Sequence, residues 1–284
     1  MRRRAVLTAR AIADGVRSAI TEAATTLRPD VYRAMERAAA SEPSPSGRAV
    51  LSRILENASI ASGDRVPLCQ DTGTTWVWVE VGADECIEGD LLAEVDDAVR
   101  NAYWEGGLRM SVVRDALFDR RNTGDNTPAF VDVSVRPGTG AIVHVMLKGG
   151  GSDNASAIGM LDPGAGPDGV KRFVVERVSV KGSSACPPLV LGVGVGGTFD
   201  SVAKLAKKAL LRPIGAPSSD PRATVFEAEV LDAVNALGIG PGGLGGRTTA
   251  LAVHVMTAPC HIAAMPVAVN LGCSAMRTVT VEVA

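Results

Sequence analysis

Apolar side chains recur at helical spacing from position 5 to 40 (Val6, Ile12, Val16, Ile20, then Val31 and Met35), among charges and with Pro29 interrupting the run. A 3.6-residue turn puts such positions on one face, so two amphipathic helices are predicted. SEPSPSG at 41–47 is a short connector, and VLSRILENASIA resumes the helical spacing before the PLCQDTG turn. WVWVEV at 76–81 is β-branched and aromatic, which predicts a strand, and LLAEVDDAVRNAYWEG after it reads as a helix. FVDVSVRPGTGAIVHVML at 130–147 holds two alternating runs around PGTG, the signal of an antiparallel hairpin. FVVERVSVKG and LVLGVGVGG read as strands, and SVAKLAKKALLRP and ATVFEAEVLDAVNALG as helices closed by Pro213 and Gly238. TALAVHVM, HIAAMPVAVN and TVTVEVA make a β-rich close. The expected class is α+β, with mixed β-sheets surrounded by helices and a helical N-terminal segment, and no repeat at a fixed period is present.

Composition narrows this picture. Hydrophobic residues make up 46% of the chain but aromatic residues only 4%, so the core must be built from Ala, Val, Leu and Ile. With 284 residues, one domain with appendages or two closely packed lobes is expected. Lys and Arg number 29 against 31 Asp and Glu, so the net charge of −2 offers no electrostatic reason to expect nucleic acid. The opening MRRR resembles a targeting signal, yet Asp14, Arg17 and Glu22 put charges into the segment behind it, so neither a secretory apolar stretch nor a membrane span is expected. A cytoplasmic protein is the default, and five cysteines in such a chain read as thiols for metal or catalysis rather than a disulfide framework.

Three of those cysteines lie beside glycine, proline or an acidic-polar turn, far apart in sequence: Cys69 in PLCQDTGT, Cys186 in SACPPLVLGVGVGGT and Cys273 in NLGCSAMR. Sharp turns that present thiols from separate loops suggest a metal cluster. Zinc fits poorly, because the chain has no CxxC or HxxxH spacing. KGGGSDN, from Lys148 to Asn154, comes directly after a strand and could turn its backbone N–H groups onto an anion, or be a plain strand-end loop. Neither it nor GVGVGGT at 192–198 matches a nucleotide-binding fingerprint. Arg109 in EGGLRMS, near NTGDNTP, offers a guanidinium fork suited to a carboxylate, with a surface ion pair as the alternative. Among three histidines, His261 in APCHIAAMP stands outside the apolar alternation around His144 and His254, as a site residue or a structural one.

Taken in order, ENASIA, PLCQDTGT, LRMSVVRDAL, RRNTGDNTPA, KGGGSDN, SACPPLVLGVGVGGTFDSVAKLAKKALLRP, LGIGPGGLGGRTTAL, APCH and PVAVNLGCSAMR resemble the class I, iron–sulfur-dependent fumarate hydratase family. The likeness is to the alpha chain of its two-subunit form and spans most of the sequence. It implies a four-iron, four-sulfur cluster held by Cys69, Cys186 and Cys273, while Cys86 and Cys260 match no ligand. Three thiolates on four irons leave one iron open to act as a Lewis acid on substrate. The resemblance further implies that Gln70, Asp71, Arg109, the Gly150 backbone and His261 line the substrate pocket. Residues 1–62 would be the mainly helical part and 63–284 the cluster- and substrate-binding part.

The implied reaction is reversible hydration of fumarate to L-malate. The general base is expected from a beta subunit, so no catalytic residue is assigned in this chain, and a heterotetramer of the two chains is implied. Related alpha chains dehydrate L-tartrate. Asp153 and Ala155 depart from the residues the family often carries after the glycines, which leaves fumarate, mesaconate and tartrate open. A reading of another class is a non-catalytic iron–sulfur sensor, which would have no need of Gln70, Asp71, Arg109 and His261.

Overall fold

The computed structural model describes residues 5–284. The basic run at 1–4, with its likeness to a targeting signal, lies outside them. In chain order the elements are β1 (Ala5–Thr8), α1 (Ala9–Thr25), α2 (Pro29–Ser41), α3 (Pro45–Asp64), β2 (Thr74–Gly82), β3 (Glu85–Glu88), α4 (Leu91–Glu105), β4 (Phe130–Arg136) and β5 (Ala141–Lys148). Next come α5 (Gly150–Asn154), β6 (Ala157–Leu161), α6 (Gly166–Lys181), β7 (Leu189–Gly197), α7 (Ser201–Ala209), α8 (Pro221–Asn235), β8 (Ala250–Cys260), β9 (Met265–Gly272) and β10 (Thr278–Val283). The class is α+β, with helices gathered at the N-terminus. Among the described residues no helix is long and apolar enough to cross a membrane. Two compact units result: one takes the chain up to Arg28, Ala58–Gly150 and Arg277–Ala284, and the other takes Pro29–Asn57 and Gly151–Met276.

In the first unit a four-stranded sheet runs β10-β5-β2-β4, and β1 pairs in parallel with β3. Helix α1 starts where the Thr8 hydroxyl accepts the Ala11 N–H at 3.1 Å, a side-chain cap for an otherwise orphaned donor. Its Ile12, Val16, Ala19 and Ile20 are buried in one core with Val77, Val79, Val143 and Val145 of the sheet. Each large aliphatic side chain among them stabilises the unit by about 1.5–3 kcal/mol.

The hairpin expected at 130–147 does not form, because β4 and β5 are not neighbours. Strand β2 lies between them, parallel to β4 (Trp76 opposite Phe130) and antiparallel to β5 (Thr74 opposite Lys148). The PGTG turn instead wraps the end of β2, where Gly82 N–H donates to Gly140 O at 2.8 Å and Ala83 N–H to Arg136 O at 2.8 Å. A turn signal reports that the chain reverses; which strands then pair is decided by burial, and the all-valine face of β2 belongs in the middle.

The second unit repeats this connectivity with different residues. Its sheet runs β6-β9-β7-β8, with β7 parallel to β8 and antiparallel to β9. In both sheets the central strand crosses by helices to a parallel neighbour, and the chain then returns to an antiparallel neighbour on the other side. The glycines of LGVGVGG serve packing: a Cβ at Gly192 would lie 2.1 Å from Ala206 O, and one at Gly194 2.5 Å from Val202 O, so α7 rests on the backbone of β7.

Three further local expectations fail. FVVERVSVKG falls in α6, not a strand: Val170, Val174 and Val178 are buried at four-residue spacing, and this helical stripe outweighs β-branched propensity. Residues 5–8 open as a strand, with the first helix beginning at Ala9, and β6 went unforeseen because Gly159 breaks its pattern.

The connector after α2 is tied down by a buried carboxylate. Glu42 accepts the Ser44 N–H at 3.1 Å, the Arg247 N–H at 2.9 Å and the Thr248 N–H at 2.8 Å. Burial alone would raise its pKa, but the Arg247 N–H, the Thr248 hydroxyl and the Ser44 and Thr248 N–H groups outweigh it and hold the carboxyl below the usual value. Replacing Glu42 by Ala leaves the buried Thr248 N–H without its acceptor and is expected to cost about 2–4 kcal/mol in urea unfolding. A folded pKa below the unfolded one gives stability that is full above about pH 4.5 and lost as pH falls through the folded value. Glu42→Gln should flatten that acid limb.

Candidate active site

Strand register brings four separate segments of the first unit to one end of its sheet. Thr74 at the start of β2 lies opposite Lys148 at the end of β5, and Thr278 at the start of β10 lies opposite Met146. β4 starts beside Trp76, so the loop leading into it arrives at the same end. The residues just outside these strand ends are Asp71, Gly149 and Gly150, Arg277, and the 106–129 loop.

Asp71 joins them. Its Oδ2 accepts the Gly150 N–H at 2.8 Å, its Oδ1 accepts the Gly73 N–H at 3.1 Å and lies 3.5 Å from Nη2 of Arg109, and its carbonyl accepts from Nη1 of Arg277 at 2.6 Å. The glycine loop thus turns an N–H onto an anion, as its sequence suggested, and that anion is the protein's own carboxylate. Gly149 is buried between the same groups: a Cβ there would meet Asp71 Oδ2 at 3.2 Å and Arg277 Nη2 at 3.3 Å. Gly73 sits at φ +80°, with Lys148 O only 2.5 Å from where a Cβ would be, so no side chain fits.

Arg109 keeps a different posture from Arg277. Its side chain is 61% exposed with a single ion pair, whereas Arg277 is 3% exposed. The Arg109 backbone is held: its carbonyl accepts the Thr72 hydroxyl, and two residues on, the Ser111 N–H donates to Asn126 Oδ1 at 2.6 Å. Asn126 is fully buried at φ +60°, a region Asn tolerates better than most residues, and its Nδ2 donates to Gly73 O at 3.2 Å. The Tyr103 hydroxyl donates to Gly73 O at 2.9 Å, and burial pushes that phenol's pKa up, keeping it a donor. The result is a guanidinium fork on a fixed backbone, turned to solvent, able to take a carboxylate.

Cys69 and Gln70 precede Asp71 on the same turn, which is pinned by the Leu68 N–H donating to Ala24 O at 2.8 Å. Cys69 is half-buried, with its Sγ 3.5 Å from Gln70 Oε1. In the second unit the register of β7 and β9 sets Val190 opposite Gly272, and this brings Cys186, ahead of β7, beside Cys273, after β9. The Ser274 N–H donates to Cys186 O at 3.0 Å. Cys186 adopts φ +55°, strain of about 1–3 kcal/mol for a residue with a Cβ, of the kind that persists where surrounding contacts impose it.

Among the described residues no disulfide joins any of the five cysteines, and no three His, Cys, Asp or Glu side chains are grouped to hold a single metal ion. Thiols suit soft iron–sulfur chemistry, in which each thiolate binds a different iron of the cluster and ligands stand further apart than around one ion. By donor type, and by the approach of Cys186 to Cys273, the two thiols of the second unit fit such a group.

His261 belongs to the second unit, exposed on the turn from β8 to β9. Its Nδ1 accepts the Ala263 N–H at 3.1 Å, so in the neutral ring the proton is on Nε2. Arg277, Asn126 and Tyr103 escaped the sequence reading. Arg277 lies four positions after Cys273, but nothing local marks it as the partner of a residue 206 positions away.

A family model described as fumarate hydratase (Fumerase) matches residues 13–282. The chain belongs to that family. It is 39% identical over 274 residues to a putative L(+)-tartrate dehydratase subunit alpha of Methanocaldococcus jannaschii, covering 94% of this chain and 95% of that protein. It is 34% identical over 263 residues to the L(+)-tartrate dehydratase subunit alpha of Escherichia coli (strain K12), covering 91% and 86%. The family is one of hydro-lyases, and both relatives are named as alpha subunits.

Arg277→Met keeps the aliphatic stem but removes the donor to Asp71. We expect a loss of about 1.5–3 kcal/mol, read as a lower urea midpoint at unchanged slope.

Proposed function

We propose that this chain is the alpha subunit of an iron–sulfur hydro-lyase that interconverts fumarate and L-malate, completed by a beta subunit in a heterotetramer. The observation that carries the reading is the Asp71-centred assembly, in which the Thr72 hydroxyl holds the Arg109 backbone and Asp71 pairs with a guanidinium that stays exposed. Arg109 anchors one carboxylate of a four-carbon dicarboxylate through paired N–H donors. Asp71 holds Arg109 and the Gly150 loop in register, and the Gln70 amide and the Nε2–H of His261 supply hydrogen bonds that orient the substrate. Cys69, Cys186 and Cys273 are the residues that would hold the four-iron cluster, which when bound supplies Lewis acidity for loss or addition of water. The base for the carbon-bound proton belongs to the partner chain.

L(+)-tartrate is the second reading, favoured by the names of the two relatives. Both substrates are 2-hydroxy dicarboxylates, so the anchoring argument serves either; dehydration yields fumarate from malate and oxaloacetate from tartrate.

The test is anaerobic reconstitution with iron and sulfide, with and without the co-produced beta chain, monitoring fumarate absorbance from malate and oxaloacetate from tartrate in separate runs. Turnover of malate in the pair alone supports the first reading, turnover of tartrate the second, and a stable cluster without either turnover points to another hydroxy acid or to a sensor. In the active pair Arg109→Met should lower kcat/KM at least about a hundredfold, or about 2.7 kcal/mol. Unchanged exchange in that variant would remove Arg109 from the pocket.

A further inference from the structure

The two most exposed large apolar side chains among the described residues are Ile262, at 92%, and Phe118, at 89%. Ile262 is next in sequence to His261, which is assigned above to the substrate, and Phe118 lies nine positions after Arg109 on the loop that leaves it. Leu117, beside Phe118, is 74% exposed.

That loop is a built tongue. At its base the Asn122 side chain donates to Met110 O at 2.8 Å, and Thr123 N–H to Val112 O at 2.9 Å. Higher up, Val113 bridges Asn122, Arg114 N–H donates to Arg121 O at 2.9 Å, and Asp115 N–H to Asp119 O at 2.9 Å. At the tip, Oδ1 of Asp115 accepts the N–H groups of Leu117 and Phe118, and Arg120 donates to Ala116 O at 2.8 Å. Asp119 is gripped by the Arg121 fork at 2.7 and 2.6 Å. The bonds hold the backbone so that Leu117 and Phe118 project into water, an unfavourable arrangement unless something covers them.

We propose that the tongue at 112–123 is a docking element for the beta subunit, with Leu117 and Phe118 as its anchors; this rests on the two-chain reading above. Three physical points favour that occupant. A tongue fixed before contact loses little conformational entropy on binding, as expected of an interface anchor. A leucine and an aromatic ring bury roughly 300–400 Å² together, nearly half of the ~800 Å² that one partner contributes to a stable interface. The tongue carries Arg114, Arg120 and Arg121 against Asp115 and Asp119, so a complementary pocket is apolar with an acidic rim. Continuity with Arg109 gives the contact a function, since a chain seated on the tip bears on the backbone that holds the carboxylate anchor.

The experiment measures association of the full chain, reconstituted anaerobically, with the same organism's homologue of the tartrate dehydratase beta subunit. Wild type, Phe118→Ser, Leu117→Ser/Phe118→Ser and Val225→Ser are compared by calorimetric titration; Val225 is a 61% exposed side chain on α8. The double variant is expected to bind about thirtyfold more weakly or worse, the single variant at least about fivefold, at unchanged melting temperature and iron content, while Val225→Ser binds as wild type. Wild-type affinity in the double variant overturns the proposal. So does a loss that comes with a lowered melting temperature in both tongue variants, or an equal loss in Val225→Ser. Self-association of the chain that the double variant abolishes, with heteromeric affinity kept, assigns the tongue to a second copy and also overturns it. Failure of the unmodified chain to bind the beta homologue overturns the two-chain reading itself, and is distinguishable because it shows in the wild type.

Discussion

The carboxylate of Asp71 is the interaction on which the candidate site depends. Strand ends of the first unit's sheet bring together two arginines and a glycine-rich loop, all rich in donors and two of them cationic. Without that carboxylate Arg109 would lose its ion pair and the Gly150 N–H its acceptor, while Arg277 holds the main-chain carbonyl of the same residue. One arginine is buried as a prop on the Asp71 backbone, and the other keeps its guanidinium exposed. The two guanidinium groups divide by exposure: the buried one donates to the Asp71 main-chain carbonyl, while the exposed one retains donors free for other acceptors.

The same economy of space explains the glycines. At Gly73 and Gly149 a side chain would collide with Lys148 O or crowd Asp71 and Arg277, and at Gly192 and Gly194 it would collide with the backbone of α7. Motifs that read as possible anion loops in sequence are positions of close backbone approach in the fold. In KGGGSDN the two meanings coincide, because the close approach is what lets Asp71 reach the loop.

Legibility varied with the range of the interaction. Helices whose apolar stripe and cap lie within one segment, such as α1 and α4, were readable because both signals are local. The PGTG turn was readable as a reversal but not as a pairing, since the intervening strand is supplied from more than fifty residues away. Segment 173–182 misled because valine favours strands in isolation, while burial of every fourth residue against the second unit's core demands a helix. Among the candidate residues, Cys69, Asp71, Arg109, Gly150 and His261 stood out through their local sequence and Gln70 only through the family resemblance, whereas Arg277 and Asn126 act through partners distant in sequence.

By itself the sequence determined the α+β class, most helices and strands, the thiol character of the cysteines and an ordered series of motifs that points to one family of hydro-lyases. Those are properties of local pattern and of residue chemistry, and they survive without knowledge of contacts. Tertiary structure decided the strand order of both sheets, the shared connectivity of the two units, the approach of Cys186 to Cys273, and the choice of Asp71 as the anion of the glycine loop. Each of these depends on which distant segments are buried side by side, a competition among long-range pairings that no local pattern encodes.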